Sequence, residues 1–212
     1  MDIERVPQIK ICGVTTLGDA HLVADTGADA LGLVYASSVR QVVGDVAGDI
    51  IERFSHQFWC VGVFRHQSDQ EILRIVQRDT VPVVQLHDPA SDDLLDALAA
   101  RGVRVIRALT VTAPELTDHE ASAIVAVIVD GAQPGSGVAN DWSLVTTLHF
   151  DVPMLVAGGL AADTVSAVID VTNPWGVDVA TGVEFSHGVK DRVKVANFVT
   201  RAREALSQKG AS

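Results

Sequence analysis

Two side chains capable of acid–base chemistry stand at the ends of short apolar segments that are far apart in the sequence. Cys12 follows the strand-like residues 8–11, and Asp130 follows residues 125–129 and precedes a glycine-rich loop. If both segments are parallel strands of one barrel, their carboxyl ends face a common pocket. A thiol and a carboxyl group there can act as a base and an acid. Cys12 is equally typical of a small buried residue, and Asp130 of a turn.

The elements that must position these groups are predicted by short β-branched segments that alternate with helical patterns. Strands are expected near residues 8–12, 30–35, 59–64, 82–86, 103–109, 124–130, 153–157 and 175–180. Helices are expected near residues 17–26, 45–56, 68–78, 91–101, 113–121, 141–148, 161–171 and 190–207. Thr16 and Ser68 are predicted N-caps. Eight such units favour a closed (β/α)8 barrel, the TIM barrel, over an open doubly wound sheet.

Composition narrows the class of protein. The 212 residues show no linker or shift in composition, so residues 1–212 are expected to form one domain. A formal charge of −11 argues against a nucleic-acid partner but leaves room for a small anionic ligand. No apolar run approaches about 20 residues, and the N-terminus does not resemble a signal peptide. We therefore expect a cytoplasmic protein without a membrane partner.

The two cysteines are not expected to pair. Cys12 should lie at the carboxyl end of one strand and Cys60 near the start of a parallel strand, which separates them by roughly 13–17 Å. A disulfide needs Cα atoms within about 7 Å. Free thiols are typical of a reducing cytosol.

Strand alternation predicts which side chains point into the barrel. On the first strand Lys10 and Cys12 should point inward, and on the last strand Asp178 should do so. Closure of the barrel then brings Lys10 and Asp178 together as a buried ion pair beneath Cys12. Such a pair is more typical of a structural role than of a catalytic one. A nearby ammonium group would favour the Cys12 thiolate. Arg107 is expected to be a structural charge in the barrel interior.

Glycine-bearing loops follow the late strands, where barrels frequently hold phosphate through backbone N–H groups. They contain Gly135, Ser136, Gly137, Gly158, Gly159, Thr181 and Gly182. Arg40, after strand two, is suited to a second anionic group, whereas Arg65 is expected to be exposed. His87 ends strand four, and because it has no visible companion ligands we expect no metal site.

Several motifs, taken in order, resemble the phosphoribosylanthranilate isomerase family over nearly the whole chain. They comprise residues 10–15, 61–64, 84–87, 129–130, 135–137, 141–142, 157–160 and 176–184. The resemblance implies a barrel of tryptophan biosynthesis that needs no cofactor. It also implies an Amadori rearrangement of N-(5-phosphoribosyl)anthranilate to 1-(2-carboxyphenylamino)-1-deoxyribulose 5-phosphate. The implied partner is thus a phosphorylated aminosugar. The resemblance leaves both a monomer and a homodimer open.

By the same resemblance, Cys12 is the general base and Asp130 the general acid. Arg40 binds the anthranilate carboxylate. The substrate-binding set also includes His87 and the glycine-loop residues Gly135, Ser136, Gly137, Gly158, Gly159, Thr181 and Gly182. Four positions depart from the family pattern: Val39, Asp88, Pro134 and Asn140. None removes a proposed catalytic group, but Asp88 and Pro134 bear on substrate affinity.

Two alternatives remain open from the sequence. One is an isomerase for the related histidine-pathway aminoaldose, or for both substrates. Such barrels typically use two catalytic aspartates, so Cys12 at the first-strand position counts against this alternative. The other is a non-catalytic barrel that binds a phosphorylated ligand, and the presence of both reactive groups counts against it.

Overall fold

The computed structural model describes residues 5–131 and 142–209. In this part of the chain, eight parallel strands close into a barrel in sequence order, with the last strand paired to the first. The strands are β1 (Ile9–Cys12), β2 (Ala30–Val34), β3 (Trp59–Phe64), β4 (Val83–Leu86), β5 (Arg104–Thr110), β6 (Ile124–Asp130), β7 (Met154–Ala157) and β8 (Gly176–Val179). The predicted (β/α)8 architecture is confirmed.

Helices follow most of the barrel strands and cover the outside of the barrel. They are α1 (Leu17–Asp25), α2 (Val46–Phe54), α3 (Asp69–Asp79), α4 (Asp92–Ala99), α5 (Asp118–Ala123), α6 (Val165–Thr172) and α7 (Arg192–Lys209). Between β6 and β7 the described residues form a 3-10 helix, Trp142–Thr147, where an α-helix was expected. Beyond β8 lie a short 3-10 helix, Thr181–Val183, and a small hairpin of β9 (Glu184–Ser186) and β10 (Val189–Lys190). The hairpin was not predicted, because strands of two and three residues carry no readable periodicity.

Side-chain caps fix where several helices begin. The Thr16 side chain accepts a hydrogen bond from the Asp19 N–H, and Ser68 forms a reciprocal capping box with Glu71. Both predicted N-caps are confirmed. A second capping box, with Thr117 as the N-cap, starts α5 at Asp118, five residues after the expected start near residue 113.

The strand side chains alternate between two apolar layers. On β1, Ile9 and Ile11 belong to the layer between barrel and helices, whereas Cys12 belongs to the barrel interior. Lys10 is completely buried and meets Asp178 of β8, with which it is also in register. The predicted inward direction of Lys10, Cys12 and Asp178 is confirmed, as is the pairing of β8 with β1.

The expected distance between the two cysteines was wrong, although both are free. Strand pairing sets Ile11 beside Leu31 and Leu31 beside Cys60, so Cys60 lies only one residue from the level of Cys12. The thiols are separated because their strands are two apart, about 10 Å. They also lie on opposite faces of the barrel wall, since Cys60 belongs to the helix-facing layer.

The expected direction of Arg107 was also wrong. Its neighbour Ile106 belongs to the barrel interior, so alternation along β5 turns Arg107 towards the helices. There its Nε lies 2.7 Å from Glu120 Oε1 of α5, and its Nη1 donates to the Leu86 carbonyl at 2.6 Å. Arg107 is therefore a structural charge of the helix layer.

None of the helices formed by residues 5–131 and 142–209 combines the length and the apolar character required to cross a membrane.

Candidate active site

A cavity of about 420 Å³ opens at the carboxyl ends of the barrel strands. It brings together every predicted site residue that the structure describes. These are Cys12, Arg40, His87, Asp130, Gly158, Gly159, Thr181 and Gly182. Gly135, Ser136 and Gly137 lie outside the described residues, and Arg65 is exposed and does not line this cavity.

Cys12 ends β1 and is held tightly by its surroundings. Its carbonyl oxygen accepts a hydrogen bond of 2.6 Å from Lys190 Nζ, and Gly13 turns the chain away at φ +77°. On the neighbouring strand Gly32 leaves room for the thiol, because a Cβ there would lie 2.8 Å from Cys12 Sγ. A glycine inside a strand often marks such a close approach.

The pKa of the Cys12 thiol is raised above its ordinary value. Burial is the largest cause; Lys10 and Lys190 oppose it, while the Asp178 charge adds to it. Lys10 does favour the thiolate, as expected from the sequence, but burial outweighs its effect on the pKa of Cys12. Lys10 itself has a raised pKa: burial alone would lower it, but Asp178 and Cys12 outweigh burial.

Asp130 ends β6 and faces the same cavity. Its Oδ1 is buried and has no hydrogen-bond partner within residues 5–131 and 142–209. Burial, followed by the charge of Asp178, raises the pKa of Asp130 to about 6. This direction agrees with the sequence-based requirement that the acid retain its proton near neutrality.

His87 lies beyond the end of β4 and is a neutral imidazole at physiological pH. Burial lowers its pKa to about 4, and the positive charges of Lys10 and Arg65 contribute. Its Nε2 lies 3.1 Å from Nε2 of Gln85, a buried amide on the same strand. His87 can therefore exchange hydrogen bonds with a polar ligand without adding a charge.

A buried carboxylate, Glu184, holds Arg40 in place at the cavity. Arg40 donates from Nε and Nη2 to the two oxygens of Glu184, at 2.7 and 2.8 Å. Lys190 donates to Oε1 of the same carboxylate at 2.9 Å. Burial of Glu184 would raise its pKa, but the hydrogen bonds from Arg40 and Lys190 outweigh burial and lower it to about 2. Glu184 thereby links Arg40, the hairpin and, through Lys190, the backbone of Cys12.

The two described glycine loops meet at the rim of the cavity. Gly158 and Gly159 have φ of +96° and +67°, which L side chains rarely adopt. A Cβ on Gly182 would lie 1.9 Å from the Leu160 carbonyl oxygen, so the loops after β7 and β8 are in contact. Together they form a surface without bulky side chains, which an anion can approach closely.

The departures from the family pattern leave the described cavity intact. Asp88 does not line it; its carboxylate pairs with His66, from which it also accepts a backbone hydrogen bond. Val39 is 70% exposed. Pro134 and Asn140 lie outside the described residues.

Five residues of the site were not identified from the sequence: Gly32, Gln85, Glu184, His187 and Lys190. Gln85 and Glu184 stand inside the quoted motifs without an assigned role, and the glycine within β2 was a readable sign of close approach. Lys190 and His187 carried no signal, because both belong to the unpredicted hairpin; His187 lines the cavity, and Lys190 binds Glu184 and the Cys12 carbonyl. No group of three histidine, cysteine or carboxylate side chains in the described residues is arranged to hold a metal ion.

A closed barrel with a thiol and a carboxylic acid of raised pKa at its carboxyl end has the composition of a (β/α)8-barrel enzyme of acid–base chemistry. The model of the family described as "PRAI: N-(5'phosphoribosyl)anthranilate (PRA) isomerase" matches residues 9–201. The chain therefore belongs to the N-(5'-phosphoribosyl)anthranilate isomerase family, as the sequence resemblance implied.

Individual relatives agree with this assignment. The N-(5'-phosphoribosyl)anthranilate isomerase of Desulforudis audaxviator is 34% identical over 202 residues, which cover 93% of this chain and 98% of the relative. The crystal structure of phosphoribosyl anthranilate isomerase from Thermus thermophilus has a TM-score of 0.79 at 32% identity, covering 93% of this chain and 98% of that one. A phosphoribosyl anthranilate isomerase in complex with reduced 1-(o-carboxyphenylamino)-1-deoxyribulose 5-phosphate has a TM-score of 0.76 at 28% identity, covering 94% and 100%.

Proposed function

We propose that this chain converts N-(5'-phosphoribosyl)anthranilate to 1-(2-carboxyphenylamino)-1-deoxyribulose 5-phosphate by an Amadori rearrangement in tryptophan biosynthesis. The observation that carries the proposal is the position of Cys12 and Asp130, which end two different strands and line one cavity. The relative with a bound ligand supports the choice of substrate, because that ligand has the product's skeleton in reduced form.

Asp130 is the general acid in this proposal. It protonates the furanose ring oxygen while the bond from that oxygen to C1' breaks and the anthranilate nitrogen forms a C=N bond. With a pKa of about 6, roughly one Asp130 in ten keeps its proton at pH 7, against about one in a thousand for an ordinary aspartic acid. The raised pKa therefore increases the acid form about a hundredfold.

Cys12 is the general base. As the thiolate it removes the proton from C2' of the Schiff base, and the C–H electrons form the C1'–C2' double bond while the nitrogen recovers its lone pair. The resulting enol tautomerises to the ketone. The positively charged Schiff base favours a thiolate beside it, as do Lys10 and Lys190. Substrate binding thus opposes the effect of burial on the thiol.

The remaining residues bind and orient the substrate. Arg40 is assigned to the aromatic carboxylate and the loops at Gly158–Gly159 and Thr181–Gly182 to the phosphate, in keeping with phosphate binding after the last two barrel strands. Neutral His87 is assigned to a sugar hydroxyl. The family match gives no support to the histidine-pathway aminoaldose or to a non-catalytic barrel.

Turnover of freshly made substrate tests the proposal. The purified chain should abolish the fluorescence of phosphoribosylanthranilate much faster than its spontaneous decay. A Cys12→Ala/Asp130→Asn double variant, purified identically from a host that lacks its own isomerase, controls for contamination. If the wild-type chain is no faster than the double variant, the proposed function is wrong.

A further inference from the structure

His187 lies at the mouth of the cavity and has no part in the mechanism above. It belongs to the turn between β9 and β10, lines the cavity, and sets its Nδ1 3.5 Å from Nη2 of Arg40. The turn is tightly placed: Gly188 has φ +84°, and a Cβ there would lie 2.7 Å from the Val39 carbonyl oxygen. The turn therefore places the exposed His187 side chain next to Arg40.

The hydrogen bonds of Arg40 leave only part of its guanidinium for a substrate. Nε and one N–H of Nη2 are used by Glu184, and the second N–H of Nη2 is directed at Thr181 Oγ1, 2.9 Å away. Within the described residues, Nη1 has no such partner. A carboxylate has two oxygens that both need hydrogen-bond donors. Arg40 could bind both oxygens through Nη1 and Nη2 only if Nη2 gave up its hydrogen bond to Thr181.

The contact between the two side chains identifies a second donor. A guanidinium group has only donors, so at 3.5 Å His187 Nδ1 can only share, as an acceptor, one of the Nη2 hydrogens already directed at Glu184 and Thr181. This contact favours the tautomer with the ring proton on Nε2. The Nε2–H group is left to donate to a ligand.

We propose that His187 Nε2–H donates a hydrogen bond to the aromatic carboxylate of the substrate beside Arg40 Nη1, which makes His187 a specificity-determining residue. This inference rests on the proposed function. Arg40 and Lys190 carry two positive charges against the one negative charge of Glu184, so the cluster retains a positive charge for the carboxylate. The hydrogen bond from His187 then fixes the orientation of the carboxylate that this charge attracts.

Two product analogues test the proposal: the reduced carboxyphenylamino compound, and the same compound with a phenyl ring that lacks the carboxylate. His187→Ala should weaken binding of the carboxylated analogue about tenfold or more, as expected for a lost hydrogen bond to a charged group. It should leave the other analogue unchanged. In turnover, KM should rise by a similar factor with little change in kcat, and His187→Asn, which keeps an N–H donor, should recover part of the loss.

His66→Asn is the matched control, since His66 is an exposed histidine in the turn after β3 that does not line the cavity. Asparagine also tolerates its φ of +68°. The proposal is overturned if His187→Ala weakens both analogues equally, or weakens neither. A wild-type chain that binds neither analogue and shows no turnover would instead refute the proposed function.

Discussion

Lys10 Nζ lies 2.9 Å from Asp178 Oδ1 across the seam where the first and last barrel strands meet. The lysine is completely buried, and the side chain of Asp178 is 9% exposed. The pair lies beneath Cys12 and supports it. Its two residues are 168 positions apart in the sequence, so the ion pair depends on closure of the barrel.

Asp178→Ala should lower the free energy of unfolding by about 3–5 kcal/mol, because it leaves the ammonium group of Lys10 buried without a partner. Urea denaturation measures the change. Asp163→Ala, on an exposed carboxylate, should stay within about 0.5 kcal/mol of wild type. Lys10→Met/Asp178→Leu should recover much of the lost stability, since a buried ion pair can be replaced by apolar residues. A loss below about 1 kcal/mol in Asp178→Ala contradicts a buried pair.

Cys12→Ala should reduce kcat at least about a hundredfold, the typical effect of losing a positioned proton-transfer group. Cys12→Ser should be nearly as damaging, because a hydroxyl group is too weakly acidic to supply an anion near neutrality. Steady-state kinetics measure kcat, and binding of the reduced product analogue should survive both changes. Cys60→Ala is the control, because Cys60 faces the helix layer and should leave kcat unchanged. If Cys12→Ser keeps most of the activity, the thiol is only a packing group.

The pH profile of kcat/KM should show the raised pKa of Asp130. The active free enzyme combines protonated Asp130 with the Cys12 thiolate. Below about pH 6, Asp130 keeps its proton and the thiolate fraction grows about tenfold per pH unit, so kcat/KM rises. Above about pH 6, loss of the Asp130 proton cancels that growth, so kcat/KM should stay level until Cys12 ionises.

Asp130→Asn removes the group responsible for the plateau. Its kcat/KM should be at least about a hundredfold lower and should continue to rise with pH through 7 and 8, because only the thiolate fraction then changes. Ionisation of the substrate phosphate affects both proteins equally. A wild-type profile that rises through pH 8 in parallel with the variant argues against Asp130 as the acid.

Arg40→Ala should raise KM more than it lowers kcat, because a guanidinium group contacting a carboxylate stabilises the bound substrate and the transition state alike. Arg40→Lys should recover little, since an ammonium group cannot reproduce the two hydrogen bonds that hold the guanidinium against Glu184. Arg101→Ala, on an exposed arginine after α4, is the control. An unchanged KM in Arg40→Ala would remove this residue from the substrate site.

Much of the fold, and the placement of Cys12 and Asp130 at one cavity, was predictable from the sequence, because the signals are local. Alternation along residues 9–12 and along β8 was sufficient to direct Lys10, Cys12 and Asp178 into the barrel. Each strand's carboxyl end then marked a possible site residue, which is how Cys12, Asp130 and His87 were found. The face of Arg107 was mistaken, although the same alternation along β5 turns it outward; burial of an arginine against Glu120 on the helix side becomes visible only when α5 is in place.

Other features were decided only by the tertiary structure, because they depend on residues that are distant in the sequence. Burial and the nearby Asp178 charge set the pKa of Cys12 above its ordinary value, although a neighbouring lysine alone would lower it. The position of Arg40 depends on Glu184, 144 residues later. Closure of the barrel and folding of the short hairpin bring these groups together, and local periodicity carries no information about either contact.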